Sequence, residues 1–124
     1  MEGIGTTMDV FAAVARLAGA SLPPGRTVDG LDVSAALFGR GPSPRLDMLH
    51  FRGTRAFALR HGEYKAHFRT KPGFGLDFVE TVEEPPLLFH LGRDPRERHD
   101  IAGEHPEIVA ELAPLLAEQQ AGLT

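Results

Sequence analysis

The side chains in this sequence that could do chemistry are six histidines, an alternating run Lys65-Ala66-His67-Phe68-Arg69, and a charged turn Asp94-Pro95-Arg96-Glu97-Arg98. The histidines invite a metal hypothesis. His61 and His67 flank a predicted turn, and His50 and His90 fall on other strand candidates. None shows the i, i+4 pairing of a helical zinc site, and no carboxylate accompanies them at a recognisable ligand spacing, so no dedicated metal site is expected. Cysteine is absent, which excludes disulfides, thiolate metal sites and cysteine nucleophiles. Ser34 has no histidine or acid that the sequence can assign to it as an activating partner.

The run at 65–69 reads differently. In a strand successive side chains alternate between faces, so Lys65, His67 and Arg69 share one face while Tyr64, Ala66 and Phe68 share the other. The plainer reading of the basic face is a solvated one. The functional reading is the rim of an anion pocket, with Lys65 supplying charge and His67 a directional donor. The turn at 94–98 reads as structural. Asp before Pro favours a turn, and Arg93, Arg96 and Arg98 are expected to pair with Asp94, Glu97 and Asp100.

The elements that must position these residues follow from pattern. Thr6 or Thr7 is expected to cap a helix with Asp9 in its first turn. Val10, Phe11, Val14 and Leu17 then share a face, and Gly19 ends the helix. Ser21-Leu22-Pro23-Pro24-Gly25 cannot continue it. Asp32 can cap a short helix through Leu37, closed by Gly39. Met48–Phe51, Arg55–Arg60 and Glu63–Arg69 read as strands, the last two as a hairpin about His61-Gly62. That loop would set Leu59 opposite Tyr64 and Phe57 opposite Ala66. The segment from Lys71 to Glu84 reads as an exposed loop, and Pro85-Pro86 as the introduction to a strand at Leu87–Leu91. Pro106 suits the first position of a final helix with an apolar stripe of Ile108, Leu112, Leu115 and Leu116. Pro114 is expected to kink or split that helix.

A chain of 124 residues is one domain's worth. A formal net charge of −4 argues against a general nucleic-acid binder, and no apolar run is long enough to span a bilayer. Met1-Glu2-Gly3-Ile4-Gly5 has neither the basic region nor the apolar core of a signal peptide, and reads as a start made inside a longer gene. The compartment is left open.

Taken in order, these motifs resemble the C-terminal part of sulfatases. Pro86-Leu87-Leu88-Phe89-His90-Leu91-Gly92-Arg93-Asp94-Pro95 is similar to the family's tail signature, in which a buried strand runs into Asp-Pro-x-Glu. Thr7-Met8-Asp9-Val10-Phe11 with Leu17-Ala18-Gly19, Val28-Asp29-Gly30-Leu31-Asp32, Gly62-Glu63-Tyr64-Lys65-Ala66-His67-Phe68 and His105-Pro106-Glu107 resemble further landmarks. The Lys-Ala-His-Phe form resembles the arylsulfatase A and N-acetylgalactosamine-6-sulfatase branch. The resemblance implies an α+β fold: a small antiparallel sheet of about four strands with a C-terminal helix packed on it, plus an N-terminal helix that belongs to the large domain of a complete sulfatase. It divides the chain into an N-terminal helical segment at 1–40 and a C-terminal subdomain at 41–124.

The same resemblance implies calcium and a formylglycine nucleophile for the full-length parent, and neither cofactor in this chain. Ser21-Leu22-Pro23-Pro24-Gly25-Arg26 approaches the family's nucleophile motif, but Gly25 stands where Arg should be. No catalytic residue is therefore expected here. Lys65 and His67 are the expected substrate-binding residues, since the corresponding strand end approaches the substrate cleft. The expected partners are the catalytic domain of the parent and, for the isolated chain, further copies of itself. No nucleic acid or membrane partner is expected. The alternative is an autonomous binding or self-associating module derived from such a domain.

Overall fold

The structure, a computed structural model, describes residues 3–73 and 79–121. It forms two compact units, Met1–Leu46 and Asp47–Thr124. Among the described residues no helix is long and apolar enough to cross a membrane.

In the first unit, helix α1 spans Thr7–Leu17 and helix α2 spans Ser34–Leu37. Thr6 caps α1 through a capping box: its backbone N–H donates to Asp9 Oδ2 at 2.8 Å and its hydroxyl to the same oxygen at 3.0 Å. Gly19 closes the helix at φ 68, the left-handed position that glycine occupies without a Cβ penalty. The buried face of α1 consists of Asp9, Ala12 and Ala13. Its larger apolar residues, Val10, Phe11, Val14 and Leu17, all stay exposed. Asp32 Oδ1 accepts the N–H of Ser34 at 2.9 Å at the start of α2.

In the second unit, strands β1 (Asp47–Arg52), β2 (Arg55–His61), β3 (Tyr64–Thr70) and β4 (Thr81–His90) form an antiparallel sheet in that order. Helix α3 follows at Pro106–Ala121. Leu59, Ala66, Leu88, Ala102 and Leu112 form the buried core, flanked by Tyr64, Phe68, Ile108, Leu115 and Leu116. The apolar stripe of α3 and the Tyr64-Ala66-Phe68 face of β3 thus meet as their spacing requires.

Three expectations are corrected. The hairpin loop is Gly62-Glu63, so Leu59 pairs with Ala66 and His61 with Tyr64. Gly62, at φ 57, takes the first loop position, where II′-type turns favour glycine. β4 starts at Thr81 and runs through Pro85 and Pro86, so residues 81–84 are strand. The ladder slips beside these prolines, between His67 and Arg69, on an edge strand where a missing N–H is tolerated. Residues 74–78 of the expected loop lie outside the described residues. Finally, of the kink or split expected at Pro114, the split does not occur: α3 runs unbroken over Pro106–Ala121. Pro114 and Ala110, whose carbonyl loses its donor, are both exposed, so water can satisfy that oxygen.

Candidate functional site

The sheet has one face on α3 and one turned away from it. Strand pairing collects His50, Ala58, Arg60, Lys65, His67 and Phe89 on the latter, through the pairs His50–Ala58, Ala58–His67, Arg60–Lys65 and Lys65–Phe89. The alternation read from Lys65-Ala66-His67 therefore holds. A slip in the β1–β2 ladder between His50 and Phe51 breaks the regular alternation near Phe57. There a depression of about 400 Å³ opens, lined among others by His50, Arg52, Phe57, Lys65, His67 and Arg69. The Arg52 guanidinium lies 5.4 Å from the Phe57 ring centroid, within cation–π range.

Glu97 ties the two expected site residues together. Lys65 Nζ donates to Glu97 Oε1 at 2.6 Å, and His67 Nε2 lies 2.6 Å from Glu97 Oε2. All three side chains are mostly buried. Burial pushes the Glu97 carboxyl up, but hydrogen bonds from Lys65 and His67 and the charge of Lys65 outweigh it and hold it below the usual range. An ionised carboxylate only accepts, so the ring nitrogen facing it carries the proton. The His67 ring also stands edge-on to Phe89, with centroids 5.6 Å apart. His50 is pushed toward its neutral form, first by burial and then by the charge of Lys65.

The charged turn is built otherwise than expected. Asp94 Oδ2 accepts the backbone N–H of Arg98 at 2.6 Å and of His99 at 2.8 Å. Asp100 Oδ1 accepts from Leu88 N at 2.9 Å and Ala102 N at 3.0 Å. The acids thus bind backbone or reach the sheet instead of pairing with Arg93, Arg96 and Arg98. The demand of the backbone is clearest at Asp100, whose carboxylate serves part-buried N–H groups, since a buried unpaired N–H costs more than a solvated surface pair gains. The other histidines have local partners: His61 with Asp47 across β1–β2, His90 with Tyr64 and Glu63, and His105 with Glu107. Among the described residues no group of three or more His, Asp or Glu is placed to hold a metal ion. The calcium implied for the parent finds no fit in them.

A four-stranded antiparallel sheet with one helix packed on it, entered from a strand that ends in an Asp-Pro turn, defines an α+β domain of the sulfatase type. Residues 43–124 match the family described as the C-terminal region of aryl-sulfatase, and this chain belongs to that family. It is 36% identical to arylsulfatase A of Homo sapiens, an alignment covering 90% of this chain and 26% of that protein. It is 33% identical to N-acetylgalactosamine-6-sulfatase of Canis lupus familiaris, covering 94% and 26%. The structure superposes on a Bacteroides thetaiotaomicron protein from a locus for the metabolism of multiple glycosaminoglycans, with a TM-score of 0.69 and 26% identity over 91% of this chain and 24% of that one. It also shares its fold with a Pseudoalteromonas sulfatase, at a TM-score of 0.77 and 22% identity over 96% of this chain and 26% of that one. The chain spans about a quarter of the length of these curated relatives.

Proposed function

We propose that this chain is the C-terminal part of a sulfuric ester hydrolase, non-catalytic alone, and that Lys65 and His67 contact the substrate where this part walls the cleft. The observation that carries the reading is the pairing of Lys65 and His67 on the sheet face turned away from α3, beside a depression that also holds Arg52 and Arg69. A lysine and a histidine that line such a depression are placed to contact a substrate lying in it. The covalent step needs a nucleophile that this chain lacks, because it has no Cys and no Ser in the required motif. Calcium and formylglycine belong, on this reading, to the catalytic domain, and no step is assigned to them here. The exposed Phe11, Val14 and Leu17 of α1 are a surface that the catalytic domain would cover.

The experiment is a comparison of turnover. This chain with an aryl sulfate and calcium is expected to be inactive. In the full-length sulfatase, Lys65→Met and His67→Ala are expected to raise KM by about threefold to tenfold, the size of one lost net hydrogen bond, with kcat held. Turnover by the purified chain, or unchanged KM across several sulfate esters, would overturn the reading.

A further inference from the structure

Glu97 is the single non-glycine residue among the described ones with a left-handed backbone, at φ 53. Glycine adopts that conformation freely, and other L-residues adopt it at a cost. The turn by itself would be better served by glycine. Its backbone is closed on the near side by Glu97 N–H donating to Asp94 O at 3.1 Å. On the far side Asp94 Oδ2 holds the N–H groups of Arg98 and His99. What a glutamate adds at this position is its side chain, which reaches Lys65 and His67, 32 and 30 positions away.

The carboxylate does two things there. It offsets the charge of Lys65, so the pair carries no surplus for an anion. It also accepts a hydrogen bond from His67 Nε2–H, which in the neutral ring leaves Nδ1 as an acceptor. Phe89 fixes the plane of the same ring from the side. The described residues place no hydrogen-bond partner on Nδ1, and the ring lines the depression. A lone pair presented there suits a hydroxyl or N–H donor and repels a sulfate oxygen.

We infer that Glu97 is a positioning residue which locks His67 as the Nε2–H tautomer, so that Nδ1 accepts a hydrogen bond from a hydroxyl or N–H group on the organic part of the substrate, leaving the sulfate to other residues. The inference rests on the proposed function above and names what His67 would read.

The test has two independent readouts. In this chain at alkaline pH, the His67 Nε2–H should appear by NMR as a downfield, slowly exchanging imidazole proton. Glu97→Gln, nearly isosteric but uncharged, should lose that protection, while Arg96→Gln on the exposed side of the same turn should keep it. In the full-length sulfatase, Glu97→Gln should raise KM by about threefold to tenfold for esters bearing a neighbouring hydroxyl, and much less for an aryl sulfate without one, at constant kcat. It should add little on a His67→Ala background, because both changes remove one contact. If Glu97→Gln unfolds, Glu97→Asp, too short to span both partners, carries the same readings. A protected N–H that survives Glu97→Gln overturns the tautomer lock. Loss of the N–H with KM raised by His67→Ala but not by Glu97→Gln overturns the positioning role. If the N–H is lost yet neither variant moves KM, the lock stands and the proposed substrate contact fails, and with it the assignment of Nδ1.

Discussion

Arg45 grips Asp9 with three hydrogen bonds: Nε donates to both carboxylate oxygens at 3.1 and 3.0 Å, and Nη2 donates to Oδ1 at 2.5 Å. Asp9 is fully buried. It also accepts from Thr6 N and Leu31 N, while Arg45 Nη2 reaches Asp29 O at 2.7 Å. One carboxylate therefore joins the start of α1, the segment at 29–31 and the end of the first unit. Removing one partner of a buried pair leaves the other charge unsatisfied, which costs about 3–5 kcal/mol. Asp9→Asn and Arg45→Met are each expected to lower stability by an amount of that order. The double variant should cost clearly less than the sum, as read from urea unfolding midpoints.

The same pair predicts an acid limb of stability. The Arg45 guanidinium holds the Asp9 carboxyl well below the usual aspartate range; burial opposes this, and the N–H groups of Leu31 and Thr6 reinforce it. A depressed native value stabilises the fold where the unfolded carboxyl is ionised, above about pH 4. That stability is lost as pH falls through the native value. Unfolding free energy should decline as the pH drops below about 5, and Asp9→Asn should flatten that slope. A slope equally steep in Asp9→Asn would reject Asp9 as its source.

Gly30 is fixed by close approach. A Cβ built there would lie 2.2 Å from the backbone oxygen of Met8, whereas one on Gly103 meets nothing within 4 Å. Backbone cannot rotate away as a side chain can, so Gly30→Ala is expected to cost at least about 1–3 kcal/mol. Gly103→Ala should be neutral or slightly stabilising, by up to about 1 kcal/mol through the unfolded chain. Thermal unfolding of the two variants side by side checks the contrast.

The sequence was legible where the physics is local. The Thr6–Asp9 cap, the Gly19 stop and the face shared by Lys65 and His67 are periodicity and capping, and each recurs in the structure. The hairpin was misread by one step because Asn-Gly logic places glycine second in the loop, whereas Gly62 comes first. The early half of β4 was hidden by Glu83, Glu84 and the two prolines, whose composition mimics a loop. Glu97 was missed for a deeper reason. Three arginines beside it in sequence offer obvious partners, and nothing local says that its backbone turns left-handed and sends the carboxylate to β3. Sequence places Asp9 in the first turn of α1, but its grip by Arg45, 36 positions on, depends on tertiary contact.

The last prediction concerns association. Met8, Phe11, Val14 and Leu17 of α1 are half exposed or more, at 50–58%, while the buried side of the helix holds small residues and Asp9. A helix usually buries its larger apolar residues, so this inversion marks a surface that awaits cover. Covering about 500 Å² of apolar surface in all, counted over both chains, is worth on the order of 10 kcal/mol. Association itself costs roughly 4–15 kcal/mol, so the balance is a weak complex. In the isolated chain the available cover is a second copy, and a concentration-dependent dimer is expected. Phe11→Glu and Val14→Lys change residues that are already exposed, so each should leave folding intact while shifting the dimer toward monomer. Light scattering over a concentration series reads the outcome. A strict monomer at the highest concentration, or a dimer indifferent to both substitutions, would remove α1 as the interface.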